Sequence, residues 1–214
     1  MVFAIYDLDR TLTRRPTFTP FLCHGAAALS PWRLMLVPVW IAAMAAYRAG
    51  VCSRTALKRF GMRLMLGRPA PADLAALAAR FARRRARRPG FNAPVLALLE
   101  EDRAAGRTVV IATAAFAFYA REFARILDVE TVIGTGWDGE AIPGGNCYGE
   151  SKRARVLAWL ADQGVEPGRA RFRFVSDSFA DAPLLDLAAE AVFVTRSPRQ
   201  AARAARRGWR VMRP

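Results

Sequence analysis

Short, continuous apolar runs recur along the chain and constrain its fold more than any other feature. The first is Val2–Tyr6, three others begin at Thr108, Phe172 and Ala191, and a last one begins at Trp209. Runs of this length without polar alternation predict strands that are buried on both faces of a parallel sheet. Helical spacing between the runs predicts βαβ units, so we expect an α/β fold with a doubly wound, Rossmann-like sheet.

The segment 14–89 interrupts this alternation and contains no convincing strand. Ser53 is a candidate cap for a helix that Gly67 ends, and Pro71 opens a further helix. Because caps and breakers of this kind bound helices, we predict an all-helical domain at 14–89, inserted after the first strand. The core domain then comprises 1–13 and 90–214.

Two local signals outside that segment also predict structure. Asn92 is a candidate N-cap of a helix that ends at Gly106. Asp138-Gly139 is a turn signal within Val132–Ile142, which we expect to form a β-hairpin.

The charge balance favours anionic partners. Lysine and arginine number 33 against 18 acidic residues, a formal net charge of +15, and only Lys58 and Lys152 are lysines. Such a field attracts phosphate esters, acidic lipid or nucleic acid, and composition does not choose among them. A hydrophobic fraction of 53% excludes wholesale disorder.

Cysteine and histidine usage excludes two classes of site. The three cysteines are scattered and form no CxxC motif, which favours a reducing cytoplasm over a disulfide framework. His24 is the only histidine, so an HExxH zinc site is excluded. No basic region precedes the first apolar run, so we expect no signal peptide.

Residues 34–47 form an uncharged apolar run between Arg33 and Arg48. As a helix it is about 21 Å long, whereas a bilayer core requires about 20 residues. We therefore do not expect it to span a membrane. Two readings stay open: a buried helix of the inserted domain, or a helix that associates with the inner face of the membrane.

Two pairs of carboxylates follow predicted strands. Asp7 and Asp9 come directly after the first strand, and Asp177 and Asp181 follow the third. Because open α/β sheets bind ligands at the carboxyl ends of their strands, we expect the two pairs to face one crevice. One aspartate would suffice to cap the following helix, so two pairs are more than capping requires.

Thr113 and Lys152 are candidate phosphate ligands. Thr113 ends the second strand, where a hydroxyl and free backbone N–H groups before a helix can hold phosphate oxygens. Lys152 begins a predicted helix in a chain that otherwise uses arginine. Its amine would offset the charge of clustered carboxylates and contact a phosphoryl oxygen.

The order of these signals resembles the four motifs of the haloacid-dehalogenase (HAD) superfamily. Asp-x-Asp-x-Thr, a helical insert, a strand-ending Thr, Lys, and a strand followed by Asp-x3-Asp occur in that order over the whole chain. The position of the insert is similar to the C1 cap of the phosphoserine-phosphatase-like subfamily IB. Ser-Asp-Ser-x-x-Asp-x-Pro-Leu-Leu and Cys-x-Gly-x-x-Lys are similar to the branch that contains phosphatidylglycerophosphatase C and CicA-like proteins.

The resemblance implies a role for each motif residue. Asp7 would be the nucleophile and Asp9 the general acid and base, while Thr113 and Lys152 would bind the transferring phosphoryl group. Mg²⁺ would be held by Asp7, Asp177 and the backbone carbonyl of Asp9. Asp181 would orient Lys152 or a metal-bound water. Ser176 departs from the glycine common before the fourth motif.

These roles imply a cytoplasmic, Mg²⁺-dependent phosphomonoesterase with an anionic phosphomonoester substrate. The apolar run 34–47 makes a membrane-surface phospholipid, such as phosphatidylglycerol phosphate, the leading substrate. A small soluble phosphomonoester, phosphoserine-like, is the alternative. A basic module that binds lipid or nucleic acid without catalysis is the alternative of another class, and the filled motif positions count against it. We do not expect nucleic acid to be a partner.

Overall fold

A parallel six-stranded sheet forms the centre of the protein. The computed structural model describes residues 2–87, 90–165 and 171–214. The strands are β1 (Phe3–Tyr6), β2 (Thr108–Phe116), β3 (Thr131–Thr135), β4 (Phe172–Ser176), β5 (Glu190–Val194) and β6 (Arg210–Met212). Their order across the sheet is β3-β2-β1-β4-β5-β6, and every pairing is parallel. The prediction of a doubly wound parallel sheet is therefore confirmed.

The helices cover both faces of this sheet. In the described residues they are α1 (Phe18–Leu29), α2 (Val37–Arg48), α3 (Arg54–Leu66), α4 (Pro71–Ala86), α5 (Ala93–Ala104), α6 (Ala117–Ile126), α7 (Glu150–Asp162), α8 (Ala182–Leu185) and α9 (Pro198–Ala205). Side chains of β1 alternate between two buried apolar clusters: Ala4 and Tyr6 belong to one, and Phe3 and Ile5 to the other. Burial on both faces explains why β1 is a continuous apolar run.

Helices α1 to α4 lie between β1 and α5, and no strand occurs among the described residues of that interval. Helix α3 packs closely on α2, since a Cβ at Gly61 would lie 2.7 Å from the ring of Trp40. Phe21 of α1 stacks on Tyr119 of α6 with ring centroids 4.8 Å apart. We name α1 to α4 the inserted helices. The contact between Phe21 and Tyr119 joins them, through α1, to the sheet domain.

The predicted helix cap at Ser53 is confirmed, because its hydroxyl accepts a hydrogen bond from Ala56 N. Ser197 caps α9 in the same way, with Gln200 N as the donor. Asn92 does occupy the N-cap position of α5, but its side chain makes no capping hydrogen bond. Its amide is used elsewhere, as described below.

The predicted hairpin over Val132–Ile142 is wrong. Thr131–Thr135 forms β3, which pairs in parallel with β2 at the edge of the sheet. Asp138 does form a local turn, because its carboxylate accepts hydrogen bonds from the N–H groups of Glu140 and Ala141. No returning strand follows that turn among the described residues.

Helix α2 presents apolar side chains to solvent. Of its side chains Trp40 is buried, whereas Val39 and Ile41 are exposed, as are Trp32 and Met35 in the preceding 3₁₀ helix. We call these four exposed residues the α2 apolar patch. None of the helices in the described residues has the length and apolar character needed to cross a membrane.

Candidate active site

The predicted carboxylates converge where β1 and β4 end. The two strands are neighbours, and Asp7 N donates a hydrogen bond to Val175 O at 2.9 Å. Asp7 is therefore held at the carboxyl end of the sheet, beside the loop that carries Asp177 and Asp181. Parallel strands end on the same edge, which is why residues 170 positions apart in sequence meet here.

Lys152 links two of these carboxylates. Its amine donates hydrogen bonds to Asp7 Oδ1 at 2.9 Å and Asp181 Oδ2 at 2.7 Å, and the side chain is 2% exposed. Burial alone would lower the pKa of Lys152, but the two carboxylates outweigh burial and raise it. The amine is therefore charged and can neutralise part of the negative charge on an incoming phosphate.

Asp7 itself is 5% exposed. Burial raises the pKa of its carboxyl, Lys152 opposes that shift, and the neighbouring carboxylates add to it. Asp181 is anchored by Ser176, whose hydroxyl donates to Asp181 Oδ2 at 2.7 Å. The serine that stands in place of the usual glycine thus has a contact of its own.

Asp9 lies in a wide turn over Leu8–Leu12, in which Thr13 N bonds to Leu8 O at 2.8 Å. Arg10 adopts a left-handed conformation with φ 61°, which is strained for a residue with a Cβ. Asn92 stabilises this turn, because its side-chain amide donates to Thr11 O at 2.6 Å and to Arg10 O at 3.2 Å. The Asn92 amide, which the sequence suggested as a helix cap, therefore stabilises the turn that carries Asp9.

The Asp9 carboxylate points towards the inserted helices. Its Oδ1 accepts a hydrogen bond from Thr17 N at 2.8 Å, and Thr17 is fully buried. Burial raises the pKa of Asp9, while the bonds from Thr17 lower it. A carboxyl with a raised pKa is suited to exchange protons, as a general acid and base must.

Thr113 lies near the end of β2 and is 1% exposed. Its hydroxyl oxygen accepts a hydrogen bond from Ala115 N at 3.1 Å. This arrangement leaves the hydroxyl proton to be donated, which suits a phosphate oxygen as acceptor.

The carboxylates of Asp7 and Asp177 form a donor set that fits a hard divalent cation. Burial raises the pKa of Asp177 to about 7, although Arg10 opposes the shift. Its backbone is fixed by Thr11, whose hydroxyl accepts from Asp177 N at 3.0 Å. Together with a backbone carbonyl of the Asp9 turn, two carboxylates offer the oxygen ligands that Mg²⁺ prefers.

The side chains alone do not form a complete metal site. No group of three His, Cys, Asp or Glu side chains within residues 2–87, 90–165 and 171–214 is arranged to hold a metal. However, Asp181 Oδ1 is buried without a hydrogen-bond partner, and the pKa values of Asp7, Asp9 and Asp177 are all raised. Burial thus disfavours the ionised forms of these carboxyls, and a bound cation would stabilise them.

Sequence reasoning missed one residue of this site, Lys58. It lies on α3 and is 6% exposed, and its amine donates to Ala114 O and, at 2.7 Å, to Asn146 Oδ1. The amine also lies 5.0 Å from the ring centroid of Phe116. Ala114 follows the candidate phosphate ligand Thr113 in β2, so Lys58 joins the inserted helices to the end of that strand.

Burial lowers the pKa of Lys58 to about 7, against the opposing pull of Asp9. The only sequence signal for this residue is its type, because it is one of two lysines in the chain. Its partners are 56 and 88 positions away, beyond the reach of local patterns.

Comparison with known proteins places this geometry in a family. The haloacid dehalogenase-like hydrolase family matches residues 4–186. No curated protein sequence shows significant similarity to the chain.

Among solved structures, a protein of unknown function from Bordetella pertussis Tohama I is 29% identical, with a TM-score of 0.83 over 98% of this chain and 97% of that chain. A phosphoserine phosphohydrolase-like protein from Francisella tularensis subsp. tularensis SCHU S4 is 13% identical, with a TM-score of 0.61 over 99% and 95% of the two chains. A phospho-aspartyl intermediate analogue of phosphoserine phosphatase is 12% identical, with a TM-score of 0.59 over 94% and 90%. The last two likenesses concern the fold.

Proposed function

Because the chain belongs to the haloacid dehalogenase-like hydrolases, we propose that it is a Mg²⁺-dependent phosphomonoesterase that works through an aspartyl-phosphate. The observation that carries this proposal is the buried position of Lys152, bonded to both Asp7 and Asp181. Burying three charged groups carries a desolvation penalty that apolar side chains would avoid, so such a cluster is typical of a functional site. A binding module without catalysis has no need of such a cluster.

The residues divide the reaction into two steps. An Asp7 oxygen attacks phosphorus, the bond from phosphorus to the ester oxygen breaks, and Asp9 gives its proton to the leaving alcohol. Water then attacks the aspartyl-phosphate, Asp9 takes up the proton of that water, and Asp7 is released with inorganic phosphate.

Charge stabilisation accompanies both steps. Lys152 and Thr113 bind the oxygens of the phosphoryl group, which is stabilised mainly by positioning and charge. When bound, Mg²⁺ reduces the repulsion between a carboxylate and a phosphate dianion. Asp7, Asp177 and the Asp9 carbonyl would hold it.

For the substrate, we propose a phospholipid phosphate such as phosphatidylglycerol phosphate. The α2 apolar patch supports it, since exposed apolar side chains on a helix that ends at the exposed Arg48, in a chain of net charge +15, suit an anionic membrane surface. In this proposal the inserted helices act as a C1-type cap of subfamily IB, over residues 14–89. The enzyme would be most similar to the phosphatidylglycerophosphatase C and CicA-like branch.

A small soluble phosphomonoester is the second candidate. The structural likeness to a phosphoserine phosphatase favours it. Lys58 supports it too, because its amine contacts Ala114, next to the candidate phosphate ligand Thr113.

A phosphatase screen distinguishes the two candidates. Soluble esters and phosphatidylglycerol phosphate in mixed micelles are assayed side by side with Mg²⁺, with Asp7→Asn as the inactive control. Activity confined to soluble esters would refute the lipid proposal, and no activity on any ester would refute the phosphatase.

The membrane proposal has a separate test. Wild type and a Trp32→Ser/Met35→Ser variant are sedimented with anionic vesicles at low and high salt. We expect wild type to sediment with vesicles and the variant to sediment less. Wild type that stays in the supernatant at both salt concentrations would contradict the proposal.

A further inference from the structure

A basic groove opens beside the candidate active site. Its volume is about 1170 Å³, and it lies between the inserted helices and the loops that follow β4 and β5. Seven arginines line it: Arg10, Arg14, Arg15, Arg84, Arg85, Arg87 and Arg196. We call it the arginine groove.

The positive charge of this groove is not balanced by the protein. Among the residues that the structure describes, Asp177 is the only aspartate or glutamate along it. None of the seven guanidinium groups forms an ion pair with an aspartate or glutamate of the described residues. Arg85 and Arg196 donate only to main-chain oxygens, those of Pro16 and Pro214. Like charges gathered in this way repel one another until an anion is bound.

The groove is continuous with the site of the chemistry. Asp177, a proposed metal ligand, and the following Ser178 both line it. Arg10, which directly follows Asp9 in the strained turn, lines the same groove. A molecule whose phosphate is at Asp7 can therefore extend into the groove.

We propose that the arginine groove binds a second phosphate group of the same substrate, so that the enzyme prefers phosphomonoesters carrying another phosphate, as a monoester or a diester. This inference rests on the proposed phosphatase function and narrows its substrate class. Guanidinium groups bind phosphate oxygens in pairs, which makes arginine the suitable residue.

The shape of the groove favours a small ligand over nucleic acid. Arg84 and Arg85 stand on the wall formed by the inserted helices, and Arg196 on the wall formed by the sheet domain. Opposing walls enclose a compact anion, whereas an extended strand needs a basic track along an exposed surface.

The test compares substrates with and without a second phosphate. Alkanediol bisphosphates are compared with alkyl monophosphates as free esters, and phosphatidylglycerol phosphate with phosphatidic acid in mixed micelles, all at one ionic strength. We expect the second phosphate to raise kcat/KM about 10-fold or more in at least one of these pairs. The pair that responds identifies whether the second phosphate comes from a soluble ester or a lipid headgroup.

Two matched variants assign the effect to the groove. Arg14→Gln/Arg84→Gln removes two charges from it, and Arg121→Gln/Arg206→Gln removes two exposed charges elsewhere. We expect the first variant to lose about 10-fold in kcat/KM for the double phosphate and to change less than about twofold for the monophosphate. The second variant should resemble wild type with both substrates.

Binding to Asp7→Asn, measured by calorimetry with hexanediol bisphosphate and hexyl phosphate, separates this proposal from the phosphatase itself. Turnover of both substrates at equal kcat/KM, or equal losses in both double variants, would overturn the groove proposal while the phosphatase stands. Arginine-dependent binding of the bisphosphate without turnover of any ester would instead refute the phosphatase and support an anion site.

Discussion

Replacing Lys152 by methionine separates the catalytic contribution of its charge from its contribution to stability. Methionine keeps the length and bulk of the side chain but removes the amine that donates to Asp7 at 2.9 Å and to Asp181 at 2.7 Å. The side chains of Lys152, Asp7 and Asp181 are 2%, 8% and 1% exposed, so water does not readily replace the lost hydrogen bonds.

The expected loss of stability follows from that burial. Removing one partner of a buried ion pair typically costs about 3–5 kcal/mol. Because burial already raises the pKa of Asp7, this carboxyl can take up a proton in the variant. We therefore expect a loss near the lower end, about 3 kcal/mol in the free energy of unfolding. Activity should fall further, by about 10²–10³-fold in kcat/KM, since the amine stabilises charge on the transferring phosphoryl group.

Arg173 provides the matched control. It is another buried cation, 7% exposed, which pairs with Asp102 and with Glu190 in a network that includes Tyr6 and lies away from the carboxylate cluster. Arg173→Met should also lose stability, yet keep wild-type kcat/KM while folded.

The assay has two parts. Urea titration gives the free energy of unfolding of each variant. Aryl phosphate hydrolysis is then measured without urea, under conditions in which that titration shows both variants to be folded. A Lys152→Met enzyme within about 10-fold of wild type would refute the assignment of its amine to the phosphoryl group. Equal loss of activity in both variants would show that the effect comes from stability alone.

Two further predictions concern the metal and the second lysine. Hydrolysis of an aryl phosphate should stop in chelator and return when Mg²⁺ is restored, because Asp7 and Asp177 otherwise repel the substrate; full activity in chelator would exclude the metal. Because burial lowers the pKa of Lys58 from its ordinary 10.5 to about 7, the folded state disfavours its charge, so its contribution to stability is lost as the pH falls through that range. We therefore compare the free energy of unfolding of Lys58→Met with that of wild type, both in chelator. As the pH falls from 10.5 to 7, the value for Lys58→Met should rise relative to the wild-type value by at most about 1.4 kcal/mol per pH unit. Below pH 7 the difference should stay constant. A difference that does not vary with pH in urea titrations would show that the amine is not desolvated.

The strands could be predicted from sequence because burial on both faces leaves a local signal. The run Phe172–Val175 marks β4, and the aspartates that follow β1 and β4 indicate the edge at which the site lies. β3 was misread because Asp138-Gly139 is a true local turn, whereas the pairing of Thr131–Thr135 with β2 depends on a neighbour distant in sequence.

The contacts of Lys58 and Asn92 could not be predicted for the same reason. Asn92 has the sequence signature of a helix cap, yet its amide bonds to Thr11 O, 81 positions earlier. Lys58 lies on a helix whose pattern indicates only an apolar face. Its partner, Ala114 O, lies in β2, 56 positions later in the sequence. Local patterns identify the elements, while such long-range polar contacts arise from the way the inserted helices pack against the sheet.

The identity of the phosphorylated residue tests the mechanism most directly. In Asp9→Asn, an aryl phosphate with a good leaving group can still phosphorylate Asp7, but water attack lacks its base. Rapid-quench experiments should show a burst of about one phenol per active site followed by slow turnover. In this variant Asp7 is the only acidic residue of the peptide Met1–Arg10, which also contains Tyr6. Fragmentation of that peptide in the mass spectrometer therefore distinguishes a phosphate on Asp7 from one on Tyr6. The account predicts a phosphate on this peptide and no burst in Asp7→Asn; an adduct on any other peptide, or a burst that survives Asp7→Asn, would contradict it.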